Sequence, residues 1–145
     1  MTRNDSGFTL TELLIVLAII GILAMISVPA YVGQQKSAAR TEAYSNLETL
    51  RLVEEQFFAE NGAYTASAAN VAAIQALLPG FRPGAGLNFN YAITQDVALV
   101  PPAAVPYDGA TAAQNPCFVV TATGIAGTRV AGDVFAIDCN NNRNF

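Results

Sequence analysis

The feature that most constrains this sequence is an uncharged apolar stretch near its first residues. Residues 13–35 contain no Asp, Glu, Lys or Arg, and they lie between Glu12 and Lys36. As an α-helix this stretch would rise about 35 Å, more than the roughly 30 Å thickness of a hydrocarbon core. The stretch can therefore span a membrane. Gly21 and Pro29 lie inside it, and we predict that the helix loosens or kinks at these two residues.

The helical pattern continues beyond the uncharged stretch without a linker. Residues 36–60 contain no Gly or Pro, and Asn61-Gly62 is a typical helix end. The sequence therefore predicts one helix from Phe8 to Glu60, roughly 80 Å long. Its first half is apolar on all sides and its second half is amphipathic. The apolar residues that recur at helical spacing in the second half are Ala43, Leu47, Leu50, Phe57 and Phe58.

After Gly62 the composition changes to that of a small mixed domain. Residues 67–78 predict a short helix with Ser67 as its cap, and residues 101–116 contain four prolines and predict an exposed loop. A small antiparallel sheet packed against the amphipathic half of the long helix accounts for the pattern, so we predict the α+β class. The expected strands are residues 87–94, 97–100, 117–123 and 133–139.

The composition of the 145 residues restricts the partners of the chain. Apolar residues make up 52% and charged residues 12%, about half the usual charged share. Some apolar surface is therefore expected to meet lipid or other subunits. The net charge of -4 and the scattered basic residues argue against nucleic acid as the main partner. The sequence contains no histidine, the commonest general base and metal ligand.

The residues Gly7-Phe8-Thr9-Leu10-Thr11-Glu12, followed by LLIVLAIIGILA, resemble the N-terminus of type IV prepilins and their pseudopilin relatives. The resemblance is close from Gly7 to about Pro29, although Thr11 stands where many members carry an aliphatic residue. It implies the pilin fold, with a leader peptide (1–7), a transmembrane and filament-core helix (8–35) and a globular head (36–145). It also implies cleavage between Gly7 and Phe8 by a prepilin peptidase, and N-methylation of the new Phe8 amine.

Glu12 is the most informative residue of this motif. A carboxylate at the bilayer centre costs on the order of 3 kcal/mol, so an ionisable residue in a spanning helix indicates a function. Its natural partner after cleavage is the Phe8 amine of a neighbouring subunit, and this pairing would set the axial register of a filament. The alternative is a glutamate whose side chain reaches the lipid headgroups.

The two cysteines, Cys117 and Cys139, are expected to form a disulfide in a chain that leaves the cytoplasm. Two free buried thiols are the alternative. Within the family that the motif resembles, a cysteine pair favours a pilin over the main secretion pseudopilins, which usually lack it.

Three other interpretations remain open at this stage. Arg3, the apolar run and Val28-Pro29-Ala30 are compatible with an ordinary signal peptide cut before Tyr31, although Glu12 interrupts that run. An enzyme is disfavoured, because the head has no nucleophile elbow or phosphate loop around its carboxylates; we therefore expect no catalytic residues and no cofactor. The tail around Asp138 is rich in oxygen ligands for Ca²⁺, but Asn-rich runs more commonly form turns. The carboxylates of the head after the long helix are Asp96, Asp108, Asp133 and Asp138.

From the resemblance we expect the structural subunit of a type IV pilus-like filament. Its expected partners are other copies of itself, the prepilin peptidase, the inner-membrane assembly machinery and, before assembly, membrane lipid. The expected location is the inner membrane and then the bacterial surface. A major pilin, a minor pilin and a type II secretion pseudopilin all fit the sequence. We also considered an electron path through the aromatic rings along the long helix, against the simpler interpretation that these rings serve packing.

Overall fold

The computed structural model describes residues 8–95 and 117–145. These residues form the α+β arrangement that the sequence predicts. Three earlier predictions lie outside the described residues: the leader, the strand at 97–100 and the proline-rich loop at 101–116. The elements in chain order are α1 (Leu10–Asn61), α2 (Val71–Leu77), β1 (Phe89–Gln95), β2 (Phe118–Gly124) and β3 (Val134–Asp138).

The long helix α1 has 52 residues and contains Pro29 in its interior. It ends where the sequence predicts. Gly62 adopts a left-handed φ of 72°, a conformation that glycine reaches without steric cost. The Gly62 amide donates to the Phe58 carbonyl at 2.7 Å, and Asn61 Nδ2 donates to the Phe57 carbonyl at 2.9 Å. These bonds satisfy carbonyls that would otherwise lack partners at the helix end.

The short helix α2 begins later than the sequence analysis predicts, and the proposed Ser67 cap is wrong. Asn70 is the N-cap, because its side chain accepts a hydrogen bond from the Ala73 amide at 2.9 Å. Ser67 lies beside β1 instead, where its hydroxyl accepts from the Gln95 amide at 3.0 Å. Its neighbour Ala68 forms an antiparallel bridge with Ile93, so the chain is still extended at this point.

The sheet is antiparallel with the order β1-β2-β3, and β2 is its central strand. In the register, Thr121 lies opposite Ala92 on one side and opposite Ala136 on the other. Gly124 ends β2 at a close approach of backbone to backbone. A Cβ atom at this residue would lie 1.9 Å from the Val130 carbonyl oxygen, so only glycine fits here.

The described chain divides into two compact units, one up to Ser37 and one from Ala38 onward. The second unit contains the hydrophobic core, to which α1, α2 and all three strands contribute. Truncating a fully buried leucine of this core would cost about 2–5 kcal/mol. The core side chains from the second half of α1 are Ala43, Leu47 and Leu50. The domain boundary after residue 35 stays a prediction.

Candidate functional site

The first turn of α1 forms a capping box between Thr9 and Glu12. The Glu12 carboxylate accepts hydrogen bonds from the Thr9 amide at 2.9 Å and from the Thr9 hydroxyl at 2.8 Å. In return, the Glu12 amide donates to Thr9 Oγ1 at 3.2 Å. Both amides would otherwise lack partners at the helix N-terminus. The role of Thr9 was not predicted from the sequence, although the spacing Thr-x-x-Glu ahead of an apolar run is the recognised signature of a capping box.

The chemistry of this capping box concerns the charge on Glu12. In the uncut chain, both hydrogen-bond donors to the Glu12 carboxylate belong to Thr9, so the carboxylate is hydrogen-bonded within its own helix. Cleavage before Phe8 would create a free ammonium four residues from Glu12. An ammonium is a stronger partner for a carboxylate than a neutral amide or hydroxyl. Phe8 itself is 85% exposed, whereas Gly7, the other half of the predicted cleavage site, lies outside the described residues.

The large apolar side chains of the first half of α1, from Leu10 onward, are exposed to the surroundings. Met25 is 81% exposed and Leu10 is 75% exposed. Within the described ranges, α1 is the one helix long and apolar enough to cross a membrane. Exposure of large apolar side chains along a whole helix requires lipid or other protein around it. The further exposed aliphatic residues of this segment are Leu13, Leu14, Ile15, Val16, Leu17, Ile19, Ile20, Ile22, Leu23, Ile26, Val28 and Val32.

Gly21 and Pro29 both lie within the α-helical part of this segment. A Cβ atom at Gly21 would meet nothing within 4 Å, so the glycine leaves a recess on the helix surface. Pro29 has no amide hydrogen and therefore cannot donate to the preceding turn. The loosening of the helix at these residues stays a prediction.

The predicted disulfide is present between Cys117 and Cys139, whose Cα atoms lie 5.6 Å apart. Cys117 directly precedes β2 and Cys139 directly follows β3. The bond therefore ties the central strand to the end of the last strand. Cys117 is buried in a small cluster with Val119 and Ala136.

In the segment that we considered for calcium, the Asp138 carboxylate binds the following turn of its own chain. Asp138 is fully buried. One of its oxygens accepts from the amides of Asn140 at 2.9 Å and Asn142 at 2.8 Å, and the other accepts from Asn142 Nδ2 at 2.8 Å. Asp138 thus organises the turn that follows it. Across residues 8–95 and 117–145, no group of three or more acidic, cysteine or histidine residues is arranged to hold a metal ion.

The other carboxylates considered for catalysis have structural surroundings where they are described. Asp133 accepts hydrogen bonds from both Nε and Nη2 of Arg40, at 2.8 and 2.9 Å, and this hydrogen bonding, followed by the charge of Asp133, raises the pKa of the Arg40 guanidinium. This bidentate pair joins α1 to the start of β3. Asp96 and Asp108 lie outside the described residues.

The acidic residues on the second half of α1 face the head's own structure in several cases. Glu42 accepts from Asn88 Nδ2 at 3.2 Å, and Glu48 forms an ion pair with Arg143. Glu54 is fully buried and accepts hydrogen bonds from the Thr65 amide and hydroxyl. Burial raises the pKa of Glu54 more than these hydrogen bonds lower it. The sequence analysis left open whether these carboxylates face solvent or neighbouring subunits.

The described aromatic rings of the head contact one another between α1, the segment that follows it, the strands and the C-terminal residues. Tyr44 stacks on Phe145 with ring centroids 4.5 Å apart and contacts Phe135 edge-on at 4.8 Å. Tyr64 contacts Phe58 at 4.6 Å and Phe118 at 4.7 Å. Burial is the leading cause that raises the pKa of Tyr64 to about 12. These contacts are those expected of packing in a core.

Comparison with known proteins agrees with the geometry of the N-terminal segment. Residues 2–28 match the family model described as the prokaryotic N-terminal methylation motif. The chain is similar to the type IV major pilin protein of Myxococcus xanthus, with 36% identity over 91 residues, 63% of this chain and 38% of the relative. It is 40% identical over 67 residues to the type IV wide pilus major component of Thermus thermophilus, covering 46% of this chain and 51% of the relative.

A relative from a secretion system matches as well. The type II secretion system core protein G of Aeromonas hydrophila is 36% identical over 62 residues, 43% of each chain. The chain thus carries the N-terminal methylation motif and is a homologue of type IV pilins and of this secretion protein. The matches span between 38% and 51% of the length of these three relatives.

Proposed function

We propose that this chain is the structural subunit of a type IV pilus-like filament. The observation that carries the proposal is the exposed apolar segment of α1. It directly follows Glu12, which forms the capping box with Thr9 inside the methylation motif. Such a segment needs an apolar environment. Lipid supplies it before assembly, and the same segments of other subunits supply it afterwards. The head already has its own core and does not need this segment for burial.

Maturation begins with removal of the leader, residues 1–7. The prepilin peptidase cuts between Gly7 and Phe8, because glycine lets the enzyme approach the carbonyl closely. The same enzyme methylates the new amine of Phe8, which keeps its positive charge. Residues 8–35 then form the transmembrane and filament-core helix, and residues 36–145 form the head.

Glu12 directs assembly. In the membrane, Thr9 keeps the Glu12 carboxylate hydrogen-bonded within its own helix, so the chain does not hold an unpartnered charge in lipid. In the filament, the Phe8 amine of an adjacent subunit replaces or joins these bonds. This exchange sets the axial register of one subunit on the next. Gly21 and Pro29 allow the helix to adapt to its neighbours.

The location and partners follow from this scheme. The subunit resides in the inner membrane until the inner-membrane assembly machinery moves it into a filament on the cell surface. Its main partner is then other copies of itself. Its role is structural rather than enzymatic, as the names of its pilin relatives suggest.

Intact-mass analysis and N-terminal sequencing of membrane-extracted protein test the proposal. We expect loss of the first seven residues and addition of one methyl group on Phe8. Gly7→Ile should leave the leader in place, whereas the matched control Gly21→Ala should be processed normally, because its Cβ meets nothing within 4 Å. Electron microscopy should show surface filaments that depend on this chain. A mature protein that starts at Met1 or Tyr31 would contradict the proposal.

A second candidate is a type II secretion pseudopilin, favoured by the similarity to core protein G. The disulfide favours a pilin over a secretion pseudopilin, because the main secretion pseudopilins of the family that the motif resembles usually lack such a cysteine pair. Deleting the chain separates the two: a pilin is needed for surface filaments, and a pseudopilin is needed for protein secretion. An ordinary signal peptide is disfavoured, because cleavage before Tyr31 would fall inside α1.

A further inference from the structure

The outer edge of β3 is covered by the last residues of the chain. β3 pairs with β2 on one side, and on its other side lies the segment Asn140–Phe145, which we call the C-terminal tail. An antiparallel bridge joins Ile137 of β3 to Arg143 of the tail. The tail is thus placed where a fourth strand would lie.

Three hydrogen bonds complete the ladder at this edge. The Asp138 amide donates to the Asn142 carbonyl at 3.1 Å. The Ala136 amide donates to Asn144 Oδ1 at 2.9 Å, and Asn144 Nδ2 donates to the Val134 carbonyl at 3.1 Å. A carboxamide side chain offers one acceptor and donors in a plane, like a peptide group. Asn144 therefore replaces a peptide group of the missing strand.

Several contacts hold the tail in this position. The Asp138 carboxylate accepts from the backbone amides of Asn140 and Asn142. Arg143 forms an ion pair with Glu48 on α1. Phe145 stacks on Tyr44, also on α1, with an interplanar angle of 4°. The disulfide at Cys139 anchors the residue directly before the tail.

Among the residues that the structure describes, the sequence of β3 itself offers little protection against pairing with another chain. Residues 134–137 read Val-Phe-Ala-Ile, four apolar residues without Lys, Pro or an intervening charge. Natural edge strands normally avoid such a run or place charges within it. The carboxylate of Asp138 accepts hydrogen bonds from Asn140 and Asn142 of the tail, so the tail also engages the one charge at the end of β3. Protection of this edge therefore depends on the tail.

We propose that the C-terminal tail is an edge guard, and that the surface it closes is a pairing site for β3 of a second copy of this chain. The β3 residues whose backbone amide and carbonyl groups point away from β2 are Val134, Ala136 and Asp138. In an antiparallel pair centred on Ala136, Val134 of one copy lies opposite Asp138 of the other. Each outward amide then meets an outward carbonyl, so the edge is complementary to itself. All of these residues lie in the head, so the proposal does not depend on the filament function.

The test uses full-length protein in detergent and the variant Asn144→Ala, which removes both side-chain bonds to β3. The matched control is Asn90→Ala, at an exposed position of β1. Amide hydrogen exchange is followed by NMR at Ala136, with the Val120 amide in the central strand as a folding reference. At low concentration we expect exchange at Ala136 to be about tenfold faster in Asn144→Ala than in the control.

The concentration dependence identifies the second copy as the partner. At high concentration, protection of Ala136 should return in Asn144→Ala, with intermolecular contacts between β3 strands in mixtures of labelled and unlabelled protein. Unchanged exchange at Ala136 would overturn the guard. Fast exchange at every concentration, without intermolecular contacts, would overturn the pairing site. If Val120 also loses protection, Arg143→Ala decides between the same outcomes, because it loosens the tail without touching the β3 backbone bonds.

Discussion

Removing the disulfide by the double substitution Cys117→Ala/Cys139→Ala should destabilise the head strongly. The bond joins residues separated by 22 positions, and closing a loop of this length contributes about 3 kcal/mol in the chain-entropy account. Alanine introduces no buried polar atom, so the loss is not inflated by an unpaired hydroxyl. A domain of ordinary stability has about 5–15 kcal/mol in total. The double variant should therefore stay folded at low temperature but unfold at a much lower temperature than the wild-type protein.

Thermal unfolding of the full chain in detergent measures this effect. The sequence has no tryptophan and five tyrosines, so near-UV circular dichroism of the tyrosines reports on the head. Three of these tyrosines, Tyr44, Tyr64 and Tyr91, lie in the described part of the second unit, and Tyr91 is fully buried. A loss of about 3 kcal/mol in a domain of this size lowers the melting temperature by roughly 12–20 °C.

Reduction supplies the matched control. Dithiothreitol should lower the melting temperature of the wild-type protein by nearly the same amount, and it should not affect the double variant. A double variant that melts within about 3 °C of the oxidised wild type would refute the reasoning. Equal sensitivity of both proteins to the reductant would also refute it, because the double variant has no cysteine left to reduce.

The remaining predictions concern the helix and one buried carboxylate. Glu12→Ala should insert into membranes at least as well as the wild type but form few or no filaments, because the Phe8 amine of the neighbour loses its partner; abundant filaments by electron microscopy would contradict this. Burial raises the pKa of Glu54 above its ordinary value of 4.5. The wild-type head should therefore gain stability as the pH falls through the folded pKa towards 4.5. Denaturant titrations should show that this gain is abolished in Glu54→Gln and retained in the exposed control Glu60→Gln. Tyr31→Leu should leave both the filaments and their conductance unchanged, since leucine keeps the bulk and apolarity that packing of this segment needs; much lower conductance would support an electron path instead.

The long helix and the sheet were predictable because their signals are repeated many times along the chain. Each turn of the second half of α1 places an apolar residue on the same face, and the structure buries Ala43, Leu47 and Leu50 there. The end at Asn61-Gly62 needs no tertiary information, since a glycine with positive φ ends a helix by itself. The disulfide was predicted from the expected compartment alone.

The features that sequence analysis missed depend on a single residue or on contacts distant in sequence. Thr9 could have been recognised from its spacing to Glu12. Asn70 and Ser67 are both acceptable caps, and only the bridge of Ala68 to Ile93 decides between them. The burial of Glu54 could not be predicted, because its partner Thr65 lies on the returning chain after α1.

The capping box gives the proposed assembly step a direction. Before cleavage, the carboxylate of Glu12 is bound by a neutral amide and a neutral hydroxyl, both from Thr9. After the proposed cleavage, an ammonium becomes available on every subunit, and it attracts the carboxylate with a full opposite charge that the Thr9 donors lack. Pairing with the ammonium in an apolar environment therefore leaves neither charge unpartnered, and Thr9 partners the carboxylate before that stage. In the proposed scheme, Phe8 has this ammonium only after the leader is removed, so we expect uncut chains to lack this partner and cleavage to determine when Glu12 can join one subunit to the next.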